Sequence, residues 1–125
     1  ILPGLRPNLE LIETIKKLKK VNIKTAVISN TSSTIRQKFK QLSGLFLEDL
    51  FDQIFISSET NLLKSNPKIF RLTLNKLNTK AHQSIFIDDS LKNIYSAKKL
   101  GIITILFTNT QSCINQLNQL IPAIF

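Results

Sequence analysis

The sequence predicts a three-layer α/β/α domain in which a parallel sheet is covered by helices on both faces. Three observations carry that prediction. Short apolar runs rich in β-branched residues, such as Ile23–Ile28 and Ile102–Phe107, alternate with segments whose apolar residues recur at helical spacing. The connections between successive runs are too long for hairpins, so the strands pair in parallel through helical crossovers. Polar clusters follow the runs, at the place where an open parallel sheet gathers its ligands.

Pro7 and Asn8 suit the start of a first helix over residues 8–20, in which Leu11, Ile15 and Leu18 share a face and Glu13 can pair with Lys17. A strand over Ile23–Ile28 follows and stops in the hydroxyl-rich stretch Ser29-Asn30-Thr31-Ser32-Ser33. A helix is expected from about Thr34 to Leu42, then a loop or short helix over Leu45–Leu50, then a strand over Gln53–Ser57. Asn66-Pro67 joins an N-cap to a proline at the first helical position, opening a helix over 67–77 with Phe70, Leu74 and Leu77 on one face. The strand Ser84–Ile87 leads into Asp88-Asp89. Ser90 can then cap a helix that turns Leu91, Ile94, Ala97 and Leu100 to one side before Gly101 stops it. A strand over Ile102–Phe107 and a helix near Ser112–Leu120 complete the alternation.

With 125 residues, the chain has room for one domain, residues 1–125, and 42% hydrophobic residues exclude a disordered chain. The longest apolar stretch, Leu100–Phe107, is far short of the ~20 residues of a membrane helix, and no signal peptide is legible, so no membrane partner is expected. Cys113, the sole cysteine, offers neither a disulfide nor the paired spacing of a zinc site, which points to a reducing, cytoplasmic setting. With His82 the only histidine, Cys113 reads as a small buried or surface thiol rather than a nucleophile. The net charge of +9 suits anionic ligands. Its lysines are spread along the chain, however, and Arg71 is the only arginine beyond position 36. Base readout leans on arginine and exposed aromatics, so general surface charge outweighs a nucleic-acid stripe.

Three clusters after strands carry chemistry. Asp88 and Asp89 set adjacent like charges at a partly buried strand end, a cost that Mg²⁺ would answer; helix capping by either aspartate is the competing reading. Ser29 and Asn30 offer a hydroxyl, an amide and loop N–H groups near a helix start, suited to phosphate or simply to a turn and cap. Lys64, just before the capped helix at Asn66-Pro67, could reach an anion at the strand ends or stay solvated.

Taken in order, these clusters resemble motifs II, III and IV of the haloacid dehalogenase-like hydrolase superfamily. Ala26-Val27-Ile28-Ser29-Asn30 resembles motif II, Ser58 to Lys64 followed by Pro67 and Ile69-Phe70 resembles the motif III segment, and Ile85-Phe86-Ile87-Asp88-Asp89 resembles motif IV. The segment from Ser90 to Phe107 continues the pattern of the subclass that includes the phosphatase domain of soluble epoxide hydrolases. The resemblance implies a Rossmann-like parallel sheet and phosphoryl chemistry. It would make Ser29 a donor to a phosphate oxygen, Asn30 a phosphate-side or substrate contact, Lys64 a stabiliser of transition-state charge, and Asp89 with Asp88 the ligands of Mg²⁺. Ser65 stands where the family usually has proline, which should alter loop rigidity more than chemistry.

Motif I, the Asp-x-Asp that supplies the family's nucleophile, has no counterpart among Asp49, Asp52, Asp88 and Asp89. In the family it ends a strand lying between the motif II and motif IV strands. Residues 1–125 are therefore expected to form a partial core domain, the C-terminal part of a longer hydrolase or a truncated reading frame, lacking the first central strand and the cap. The function this implies is the C-terminal portion of a Mg²⁺-dependent phosphatase that acts on a small phosphorylated metabolite through an aspartyl-phosphate formed upstream. The alternatives are a degenerate, non-catalytic fold that binds phospho-ligands or nucleic acid, and a metal-independent haloacid dehalogenase, which the paired acids disfavour.

Overall fold

The computed structural model describes residues 9–29, 37, 39–41, 44–56 and 66–122. Helix α1 (Leu9–Lys20) turns its lysines outward and buries Leu11, Ile12 and Thr14. Glu13 pairs with Lys16 at 3.5 Å. The helix ends at Asn22, whose left-handed φ of 61° lets the Ile23 N–H return to the Leu18 carbonyl at 3.0 Å.

Strand β1 (Ala26–Ser29) begins three residues later than Ile23. The preceding residues are taken up by that helix exit and by a knot at Thr25. The Thr25 N–H donates to the Asp52 carboxylate at 2.7 Å, and the Thr25 carbonyl accepts from the N–H groups of Asp52 and Gln53. This knot sets the parallel register of β1 on β2 (Gln53–Ile56), with Ala26 opposite Gln53 and Ser29 opposite Ile56. Between the two strands, residues 37 and 39–41 are helical, the rest of the helix expected over 34–42 lies outside the described residues, and α2 (Leu47–Leu50) is the short helix.

Helix α3 (Pro67–Leu77) starts where expected, with Asn66 Oδ1 accepting from the Lys68 N–H at 3.0 Å. A 3₁₀ turn, Ala81–Gln83, then leads into β3 (Ile85–Asp88). Helix α4 (Leu91–Lys98) has Ser90 at its N-cap position, but the Ser90 side chain makes no capping bond. Gly101, at φ 87°, takes the left-handed turn before β4 (Ile103–Leu106). Helix α5 (Thr110–Leu120) begins two residues before Ser112 because Asn109 Oδ1 caps it, accepting from the Ser112 N–H at 2.8 Å.

All strand pairing is parallel, as the sequence predicts, yet the described strands form two separate pairs, β1–β2 and β3–β4. Strand alternation splits the core between two faces. On one face Ile12 packs with Val27, Phe39, Leu50 and Phe51, while its neighbour Leu11 packs with Ile105, Cys113 and Leu117, so α1 straddles both pairs. On the other, Ile28 of β1 and Phe86 of β3 share a cluster with Phe55, Ile69, Phe70 and Ile94, and the Phe70 and Phe86 rings meet edge-on at 4.9 Å. Phe39 and Phe51 are thus core residues, whereas Phe46 is exposed beneath the Lys40 ammonium, 4.3 Å from its ring centre.

Between β1 and β3 lies a slot of about 610 Å³, lined by Ala26 and Ile28 of one strand and Ile85, Phe86 and Ile87 of the other, with α1 and α5 on one side and α3 on the other. Protein interiors hold few voids larger than a water molecule. Among the described residues no strand bridges the slot.

Candidate functional site

One mouth of the slot gathers the residues that open β1 and β3, Lys24, Thr25 and Ser84, together with the carboxyl ends of three helices, represented by Leu18, Leu77 and Leu120. The two strands therefore run the same way, and their last residues, Ser29 and Asp88, belong to the opposite end. The Lys24 ammonium donates to the Leu77 carbonyl at 2.8 Å and so occupies the negative end of α3 at the first mouth. At the other end, α4 starts within three residues of Asp88, which turns its positive end toward the strand terminus.

Ser29 is buried as the last residue of β1. Asp88 is only 2% exposed, and its Oδ2 accepts a hydrogen bond from Asn93 Nδ2 at 2.6 Å; Asn93 is itself buried at 9%. The Asp88 carbonyl accepts from the Phe107 N–H at 2.7 Å, so β4 fixes the strand end on which the carboxylate sits. Asp89, next in the chain, is exposed. Of two adjacent carboxylates, one is thus held by a buried amide and the other faces water.

Sequence reasoning did not single out Asn93. Its signal was the five-residue spacing from Asp88, which lays the third residue of α4 back over the end of β3. Asn30 and Lys64, expected to complete the phosphate side, lie outside the described residues. Cys113 is fully packed against Leu11, Ile105 and Leu117, and burial pushes its thiol up, which suits a core residue and not a nucleophile.

The donor chemistry suits Mg²⁺, which keeps several waters and is held through one or two carboxylates plus substrate phosphate. Among the described residues no group of three or more His, Cys, Asp or Glu side chains assembles, and Asp88 and Asp89 are the two adjacent carboxylates at the end of β3. No helix among the described residues is long and apolar enough to cross a membrane.

Comparison with known proteins agrees with this architecture. The chain is 28% identical over 118 residues to a sesquiterpene phosphatase from Aspergillus oryzae, covering 94% of this chain and 59% of that one. It is 33% identical over 102 residues to a glyceraldehyde 3-phosphate phosphatase from Methanocaldococcus jannaschii, covering 81% of this chain and 44% of that one. It therefore spans about half the length of these two relatives. A HAD family enzyme from Bacteroides thetaiotaomicron, solved as a mutant with magnesium and inorganic phosphate, superposes with a TM-score of 0.71 at 26% identity, covering 86% of this chain and 57% of the other. The sequence pattern of haloacid dehalogenase-like hydrolases matches residues 4–107, and the chain belongs to that family.

Proposed function

We propose that this chain supplies the phosphate-holding and metal-holding half of a Mg²⁺-dependent phosphatase that acts on a small phosphorylated metabolite. The observation that carries the reading is the end of β3, where buried Asp88 is pinned by Asn93 beside exposed Asp89. Relatives named as phosphatases of small phosphorylated molecules support it, as does a structural relative solved with magnesium and phosphate.

In this reading Asp88 and Asp89 hold Mg²⁺, which when bound offsets the charge of the phosphate oxygens. The Ser29 hydroxyl donates to a phosphate oxygen, Asn30 contacts the phosphate or the substrate beside it, and the Lys64 ammonium neutralises charge that grows on the transferring group. The nucleophilic aspartate comes from a segment outside these 125 residues. A metal-independent dehalogenase would have no use for the second carboxylate at the end of β3. The lone packed thiol of Cys113 suits a reducing, cytoplasmic setting.

The test is hydrolysis of p-nitrophenyl phosphate by a protein in which these residues are preceded by such a segment. Turnover is expected to require Mg²⁺ and to fall about a hundredfold or more in Asp89→Asn and in Lys64→Ala. Metal-independent turnover that survives Asp89→Asn would refute the reading.

A further inference from the structure

We propose that the outer face of the α3–α4 layer docks peripherally on an anionic lipid bilayer, with Tyr95 and Leu91 at the lipid interface and basic side chains over the head groups. This goes beyond the hydrolase reading and does not need it, because it rests on the charge and exposure of side chains outside the candidate site.

The fold collects charges that the sequence spreads out. Helices α3 and α4 touch one another on the same side of the sheet, where Phe70 of one and Ile94 of the other share a core cluster. Their outer surfaces expose Lys68, Arg71 and Lys76 from α3, and Lys92, Lys98 and Lys99 from α4 and its C-cap. None of these side chains is ion-paired with a described residue. Between Asn66 and Pro122 the acidic residues are Asp88 and Asp89, both just ahead of α4, and Asp88 is buried. The opposite layer is mixed. Glu10 and Glu13 stand among the lysines of α1, Lys16 is paired with Glu13, and Glu48 and Asp49 lie on α2.

Tyr95 projects from this basic face at 58% exposure, with Leu91 one turn before it at 54%. Lys92, Lys98 and Lys99 lie three or four residues from Tyr95, which sets them beside it on the helix surface. Single exposed apolar side chains are ordinary. An aromatic and a leucine on one stripe are different when lysines surround them, because the lysine stems are apolar and their ammoniums can rise to lipid phosphates. Negative head groups attract such a cluster without fixed geometry, which suits lysine, a compact point charge. A nucleic acid fits less well. It would use several stacking aromatics and bidentate arginines, where this face offers Tyr95 and Arg71, and it would give Leu91 no role. The contact is peripheral, since no described helix is long and apolar enough to cross a bilayer. The expectation of no membrane partner rested on span length and a leader, and neither bears on surface docking.

Tyr95 is the sole tyrosine and the chain has no tryptophan, so its fluorescence reports this face. The 125-residue chain is mixed with phosphatidylcholine vesicles that contain either no phosphatidylserine or about 30% of it, in about 0.1 M salt. Binding is expected to be at least about tenfold tighter to the anionic vesicles, and to weaken about tenfold in about 0.5 M salt. Brominated lipid is expected to quench Tyr95 by about a third or more. Lys98→Glu combined with Lys99→Glu is expected to weaken binding at least about tenfold. Lys16→Glu combined with Lys20→Glu makes the same change in net charge on the other layer, and is expected to alter binding by less than about twofold. Leu91→Ser is expected to weaken it about threefold or more at unchanged charge. All these positions are exposed, and circular dichroism checks that the variants keep the parent fold. The lipid preference and the quenching are decided on the parent chain, whatever the variants do.

Absence of binding, equal binding to neutral and anionic vesicles, or binding without quenching of Tyr95 would overturn the proposal, as would a parent chain that lacks a helical spectrum. So would equal losses in the two charge pairs, which would make net charge and not this face the cause. Tighter binding to a single-stranded oligonucleotide than to the vesicles would assign the face to nucleic acid, and would also overturn it. None of these readouts involves turnover, so their failure and the failure of the phosphatase reading are separable.

Discussion

The bond from Asn93 to Asp88 holds one carboxylate in a single orientation, with both partners buried, while Asp89 beside it stays in water. Removing the amide would leave a buried acceptor without that donor. Asn93→Ala is therefore expected to cost about 1–3 kcal/mol in urea unfolding of the chain. In a catalytically complete protein it should lower activity about tenfold to a hundredfold through the position of Asp88, with partial recovery at raised Mg²⁺. An unchanged Mg²⁺ dependence in that variant would argue for a purely structural amide. Cys113 makes a contrasting case. Burial raises its thiol, so the neutral form is favoured in the folded state. That contribution to stability is complete below the unfolded thiol's pKa and is lost as pH rises through the higher folded value. Modification of Cys113 by a thiol reagent at neutral pH is expected only after unfolding, which mass spectrometry with and without urea would check. That Cys113 is no nucleophile was an expectation of composition, because a lone Cys without a neighbouring His lacks a base to activate it; its burial was not legible, since a small thiol suits core and surface alike. The Asn93 contact was not legible, because a polar residue in the first turn of a helix is ordinarily solvated and only the return of α4 over β3 buries this one.

The element boundaries follow local chemistry wherever a side chain closes a backbone bond. Asn66 and Asn109 each cap a helix, so α3 starts as the Asn-Pro pair predicts and α5 starts at Thr110. Asn66→Ala is expected to lower stability by about 1 kcal/mol, read as a shift in the urea midpoint. Gly101 ends the α4 segment at φ 87°, where an added Cβ would meet only the Ala81 Cβ, at 3.9 Å. Gly101→Ala is therefore expected to cost about 1–2 kcal/mol from backbone conformation alone, and a markedly larger loss would show that the turn also packs more tightly. The start of β1 escaped the sequence for a long-range reason. Ile23 belongs to the apolar run, but the left-handed Asn22 and the bonds between Thr25 and Asp52 occupy the chain until Ala26. Periodicity carries no information about a partner 27 residues away. The Ser90 hydroxyl shows the opposite limit, since a good capping residue at the right position makes no capping bond here.

Across the whole molecule, the alternation of helices and strands was legible because each strand is apolar on both faces and each crossover has one apolar stripe. The slot was legible only through the missing motif: nothing in residues 26–29 or 85–88 taken singly says that, among the described residues, no strand lies between β1 and β3. The topology turns that absence into geometry, with two parallel pairs held together by α1 on one face and by the Ile28, Phe70 and Phe86 cluster on the other. The same topology sends Ser29 and Asp88 to one end of the sheet and leaves no aspartate of this chain on a strand between them. In the proposed function these residues hold phosphate and metal and lack the attacking group. The most direct test is phosphate release from p-nitrophenyl phosphate by the purified 125-residue chain in saturating Mg²⁺. The expected result is no release above buffer. Release that depends on Mg²⁺ and disappears in Asp89→Asn would contradict the proposed function, because the nucleophile would then have to lie within these residues.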